Sequence, residues 1–132
     1  MENIIDILLI EDDADDIELL EEALKSNSVS YILTSIKEGD KVEPHLLSES
    51  KIPDIIVLDF NLPKLHGREI LALIKSSEKY NNVPLVVLTT SASKEDISYA
   101  AMMGANHYIT KPTSIHDFNR TIATIVKTAF PD

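Results

Sequence analysis

Three stretches of the chain, IIDILLI (residues 4–10), DIIVLDF (54–60) and PLVVLTT (84–90), are almost unbroken in Ile, Leu and Val, yet each is too short to be a core helix. A strand with one wet face alternates apolar and polar residues. A strand that is apolar at nearly every position needs cover on both faces, as the central strands of a parallel sheet have between two layers of helices. VSYILTSI (29–36) and the weaker NHYIT (106–110) read as two further strands.

Helical spacing occupies the intervals. Ile115, Phe118, Ile122, Ile125, Val126 and Ala129 recur at threes and fours behind Ser114 and Asp117, a capping-box pair. Ser93 and Asp96 are spaced in the same way ahead of the preceding helix, and Gly104 stands where a left-handed residue would end it. The weakest signal is GDKVEPHLLSESKIP (39–53), where Pro44 interrupts a segment of little periodicity. Five strands alternating with five helices predict an α/β fold, a doubly wound five-stranded parallel sheet with right-handed crossovers.

With 132 residues and 44% hydrophobic content, the chain fits a single domain, 1–132. A net charge of −10 disfavours nucleic acid and anionic membranes as partners, since both require a basic footprint. The absence of cysteine excludes disulfides. No apolar run approaches the ~20 residues of a membrane span, and MENIIDILLIEDD has no basic leader region, so a soluble, cytoplasmic protein is expected.

In such sheets ligands bind beyond the carboxyl ends of the strands. Glu11 and Asp12 follow the first strand and Asp59 ends the third. Thr89 ends the fourth, and Lys111 follows the fifth. Carboxylates about 4 Å apart repel by about 4 kcal/mol at an effective dielectric near 20, so they take up protons or a cation. An all-oxygen donor set without histidine or cysteine suits Mg2+ completed by phosphate oxygens. Lys111 is then placed to balance a phosphoryl group. The run EDDADDIELLEE (11–22) accordingly divides. Glu11 and Asp12 serve a metal, whereas Asp13, Asp15, Asp16, Glu18, Glu21 and Glu22 favour a helix N-terminus or form its solvated face opposite Ile17, Leu20 and Leu24. It lacks the alternating ligands and central glycine of a calcium loop. His45, His66, His107 and His116 show no ligand spacing and receive no role.

LLIEDD, VLDFNLPKLHG, VVLTTSA and GANHYITKP, in this order and followed by an amphipathic helix, resemble the receiver domain of two-component response regulators over essentially the whole chain. LPKLHGREIL and HDFNR are similar to the stand-alone receivers associated with bacterial phytochromes. The resemblance implies a flavodoxin-like fold with strand order 2-1-3-4-5. It also implies a phospho-accepting Asp59, and Mg2+ held by Glu11, Asp12, Asp59 and the backbone carbonyl of Asn61. Thr89 and Lys111 would contact the phosphoryl group, and Thr89 and Tyr108 would form the switch. Glu11 departs from the commoner aspartate. Pro112 is expected to follow a cis peptide that aims Lys111 inward. The implied partners are a sensor histidine kinase or histidine phosphotransfer protein. A downstream protein or second copy would dock on the face of helix 94–103, strand five and helix 114–129. No output domain is expected after FPD, and self-phosphorylation and autodephosphorylation are the only enzymatic acts. A haloacid dehalogenase-type phosphatase would need an acid two residues past its nucleophile, where this chain has Asn61.

Overall fold

The computed structural model describes residues 3–48 and 51–131. In chain order its elements are β1 (Ile5–Ile10), α1 (Ala14–Ser26), β2 (Tyr31–Ile36), a single 3-10 turn (Gly39–Lys41) leading into α2 (Val42–Ser48), β3 (Ile55–Leu58), α3 (Gly67–Ser76), β4 (Leu85–Thr89), α4 (Lys94–Met102), β5 (His107–Thr110) and α5 (Ile115–Ala129). The strands pair in parallel in the order β2-β1-β3-β4-β5, the expected doubly wound topology.

The unbroken apolar runs are explained by two cores. Leu8, Ile10, Ile56, Leu58 and Val87 face α2, α3 and α4, where Val42, Ile70, Ile74 and Ala100 meet them. Their neighbours Ile7, Leu9, Ile55, Val57, Val86 and Leu88 point the opposite way, onto Ile17, Leu20, Leu24, Ile122 and Ile125 of α1 and α5. Each fully buried Ile or Leu is worth about 1.5–3 kcal/mol, so a polar residue at either parity would be costly. The outer strands β2 and β5 are half exposed, and there polar residues interrupt the pattern.

Segment 39–53, with the weakest periodicity, does contain a helix. Pro44 lies in the first turn of α2, where a missing N–H costs nothing because those donors have no partner in the helix. Gly104 takes φ +88° just past the end of α4, with the N–H of Ala105 reaching back to Ala100 O at 3.0 Å. Ser93 caps α4 by accepting from the Asp96 N–H at 3.1 Å. The Asp96 carboxylate does not complete a capping box, because it is engaged by Ser91 and Arg68. Among the described residues no helix is long and apolar enough to cross a membrane.

Candidate functional site

The parallel ladder continues one residue past the strands and sets their polar ends in a row. Glu11 N–H donates to Ile36 O at 3.0 Å, Asp59 N–H to Ile10 O at 3.0 Å, and Lys111 N–H to Thr89 O at 2.8 Å. Glu11 and Asp59 are each 3% exposed and Thr89 is wholly buried, while Asp12 stands open to solvent. Ligating oxygens of Glu11, Asp12 and Asp59 all lie within 4.8 Å of one another.

Lys111 reaches into this row. Its Nζ lies 2.8 Å from Glu11 Oε1, 3.0 Å from Asp59 Oδ2 and 2.6 Å from Asp16 Oδ2. The cis bond expected before Pro112 is not found; the described peptide bonds are all trans. Trans is the lower-energy form even before proline, by about 0.5–1 kcal/mol. Here the three carboxylates hold the ammonium in place without the other isomer.

One ammonium cannot balance this much negative charge, and the excess shows in the protonation of the pair. Burial pushes Glu11 up to about 7, against the pull of Lys111 and with the further push of Asp59. Asp59 goes the other way. Burial would raise it, but the Asn61 N–H at 3.0 Å on Oδ1, the Thr89 hydroxyl, Glu11 and Lys111 hold it below the usual carboxylate range. Lys111 is raised, since Asp16, Glu11 and Asp59 together outweigh its desolvation. The site therefore offers an ionised carboxylate beside a charged lysine. Its oxygen-only donors fit a hard divalent cation that would replace the proton retained by Glu11.

The loop after Asp59 is closed by Gly67. Its N–H donates to Phe60 O at 3.0 Å, and a Cβ on it would stand 2.3 Å from Phe60 Cα, so no other residue fits. Asn61 also bridges to the β4 end, donating to Thr90 Oγ1 at 3.0 Å. Tyr108 leans onto the β4–α4 loop, its hydroxyl donating to Ser91 O at 2.7 Å and its ring edge-on to Phe60 at 6.0 Å between centroids.

Three participants carry other roles, or none, in the sequence reading. Asp16 was grouped with the helix-favouring acids, yet it touches Lys111. The available signal was its place as the third residue of α1, because helical side chains tilt back toward the N-terminus, here toward the strand ends. Asp96 is buried and accepts from the Ser91 hydroxyl at 2.6 Å and from Arg68 Nε at 2.7 Å. His66 caps α3 by accepting the Arg68 N–H on Nδ1 at 3.0 Å.

The family model for the response regulator receiver domain matches residues 7–123. The response regulator Rcp1 of Synechocystis is 34% identical over 121 residues, covering 88% of this chain and 82% of Rcp1; the crystal structure of its Mn2+-bound form superposes with a TM-score of 0.82 over 93% of this chain and 92% of that one. The phosphorylated cyanobacterial phytochrome response regulator RcpA is 35% identical, with a TM-score of 0.84 over 95% of this chain and 93% of RcpA. The receiver domain of the sensor histidine kinase PA1611 from Pseudomonas aeruginosa, with magnesium in its active-site cleft, is 27% identical with a TM-score of 0.74, covering 94% of this chain and 98% of that one.

Proposed function

The chain belongs to the response regulator receiver domain family, and from that premise we propose that it accepts a phosphoryl group on Asp59 and so switches a protein-binding surface. Receiver domains are two-component signalling modules that take phosphate from histidine kinases. The observation that carries the residue-level reading is the meeting of Glu11, Asp12 and Asp59 oxygens within 4.8 Å, with Lys111 Nζ 3.0 Å from Asp59.

In the transfer, an Asp59 carboxylate oxygen attacks phosphorus, the P–N bond to the donor imidazole breaks, and the imidazole nitrogen leaves with the electron pair. Asp59 enters this step ionised because its surroundings hold its pKa low. The Thr89 hydroxyl and the Lys111 ammonium are placed to receive the equatorial phosphoryl oxygens as charge spreads onto them. A divalent cation, Mg2+ being the ion that suits this donor set, would be held by Glu11, Asp12, Asp59 and the backbone carbonyl of Asn61, and supplies further charge neutralisation. Asn61 and Ser91 are neutral, so no strong general base stands over the acyl phosphate and its hydrolysis is slow. Acetyl phosphate with Mg2+ should add one phosphoryl group to the protein and none to Asp59→Asn. Labelling of Asp59→Asn would remove Asp59 from this role.

Aspartyl phosphate carries about −1.5 to −2 charge at this strand end in place of the single charge of the Asp59 carboxylate. Movement of Thr89 toward it and the packing of Tyr108 against the β4–α4 loop would carry the change to α4, β5 and α5. On that face α4 exposes Ile97 and Met102, the latter at 74%, which favours it for a downstream protein or a second copy. Likeness to RcpA favours a phytochrome-linked histidine kinase, or a phosphotransfer protein fed by one, as the donor. Fluoroberyllate should alter amide exchange along this face; changes confined to α1 would reject it as the output surface.

A further inference from the structure

An ammonium has three N–H donors, and in this structure three carboxylates meet Lys111 Nζ, of which Asp16 is the nearest at 2.6 Å. The three acceptors are not equivalent. Glu11 and Asp59 share with Asp12 the cluster of oxygens close enough to hold a metal ion, and Asp16 lies outside that cluster. Asp59 is in addition the proposed phospho-acceptor. Both therefore have a second duty that competes with the lysine, while Asp16 has none.

From this difference we infer that Asp16 is a positioning residue for Lys111, the anchor that keeps the ammonium aimed at the phosphoryl site while a cation and the phosphoryl group engage Glu11 and Asp59. The inference rests on the phospho-acceptor reading of Asp59. As phosphorus approaches, one N–H passes from Asp59 to a phosphoryl oxygen, and the bond to Asp16 stays in place throughout. The surroundings leave few alternatives. Beside Lys111 lies a cavity of ≈ 30 Å³ whose walls are apolar apart from Lys111 itself, Glu11 and Asp16, two of the carboxylates already on the ammonium, so the cavity adds no further acid to hold it. The anchor is itself held. Asp13 Oδ1 accepts from the N–H groups of Asp15 and Asp16 at 2.9 and 3.3 Å, fixing the first turn of α1 from which the Asp16 carboxylate reaches back.

Asp15 is the natural control. It contributes the same charge to the same helical turn, but its side chain is exposed to solvent. The experiment measures the rate of labelling of the full chain by acetyl phosphate against Mg2+ concentration, for wild type, Asp16→Asn, Asp15→Asn and Asp16→Glu. At saturating Mg2+, Asp16→Asn should label about tenfold more slowly than Asp15→Asn, as expected for a catalytic group displaced by a fraction of an ångström. The Mg2+ concentration for half-maximal rate should move equally in the two asparagine variants, because it reports only the shared loss of charge. Asp16→Glu should recover most of the rate, since it restores the carboxylate.

Equal maximal rates for Asp16→Asn and Asp15→Asn would overturn the inference, as would an Asp16→Asn deficit that saturating Mg2+ abolishes. Either result leaves Asp59 as phospho-acceptor untouched. A wild-type protein that takes no label would overturn the phospho-acceptor reading and this inference with it.

Discussion

Two sites built on buried carboxylates flank the end of β4, and their charges are settled in opposite ways. On the α4 side, Asp96 accepts from one cation, Arg68, and one hydroxyl, Ser91, and donates its N–H to Ser93, so each carboxylate oxygen and the N–H has a partner. On the α1 side, Glu11, Asp16 and Asp59 gather around Lys111, and the exposed Asp12 adds another carboxylate within 4.8 Å of Glu11 and Asp59. Asp96 is held below its ordinary pKa, because Ser91, Arg68 and Ser93 overcome its desolvation. Glu11, desolvated and set beside Asp59, is raised despite the opposing pull of Lys111. A fully satisfied buried acid is a structural tie, whereas an excess of buried acids is a site awaiting a charge from outside.

The largest effect expected is the arrival of that charge. A divalent ion at 100 times its dissociation constant should stabilise the folded protein by about 2.7 kcal/mol. Asp12→Ala should lose most of this gain, and Asp96→Asn should keep it. Thermal melts with and without Mg2+ decide the matter; equal stabilisation of wild type and Asp12→Ala would erase the distinction between the clusters.

Without metal, the α1-side cluster should be a burden that grows with pH. Folded Glu11 keeps its proton to about 7 while an unfolded glutamate releases it near 4.5. Between those values the folded state binds more protons, so stability falls as pH rises. At about 1.36 kcal/mol per unit the ceiling is about 3 kcal/mol, and sharing of the proton with Asp59 brings the expected figure nearer 2. Glu11→Gln should therefore be more stable than wild type by about 2 kcal/mol at pH 8 in urea unfolding, with little difference at pH 4. A loss of stability at pH 8 would show that the cluster is balanced after all.

Much of this contrast was legible in the sequence, and what was hidden has a physical cause. The unbroken Ile, Leu and Val runs could belong only to strands buried on both faces, and the polar residues closing them had to gather at one sheet edge. That argument reached Glu11, Asp12, Asp59, Thr89 and Lys111. It missed Asp16 because helix charge alone accounts for all six further acids in the same run, so the backward tilt that aims the third residue of α1 at the strand ends was not weighed. It missed the Arg68–Asp96 pair because the partners sit 28 residues apart on helices whose relative placement follows from packing. The proline in α2 masked a real helix in the sequence because its tolerated first-turn position depends on where the helix begins. The trans bond before Pro112 was misjudged because the aim of Lys111 was ascribed to the backbone, whereas carboxylates on β1, β3 and α1 supply it.

Asp96→Ala should cost about 2 kcal/mol, below the range for a fully buried pair because Arg68 is 40% exposed by side chain and stays solvated when its partner goes. Ser91 would lose its acceptor, and Tyr108, which donates to the Ser91 carbonyl, would lose a fixed partner. The loss should thus appear both in urea unfolding and as faster amide exchange from 90 to 96. A variant as stable as wild type would mean that the α4-side tie contributes nothing.

The smallest effect is the mirror image of the Glu11 slope. Asp96→Asn keeps the shape of the side chain and removes only its charge, so it should lower stability by about 1 kcal/mol at pH 7, the net worth of a charge-assisted bond. Because the folded pKa of Asp96 lies below its unfolded value of 3.8, its ionised form supports the fold above that value and ceases to as pH falls through the folded one. The gap between wild type and Asp96→Asn should therefore be constant from pH 8 to pH 5 and close in acid, while the gap for Glu11→Gln opens as pH rises. Should the Asp96→Asn gap instead widen with pH between 5 and 8, Asp96 would be retaining a proton as Glu11 does, and the two clusters would differ in degree rather than in sign.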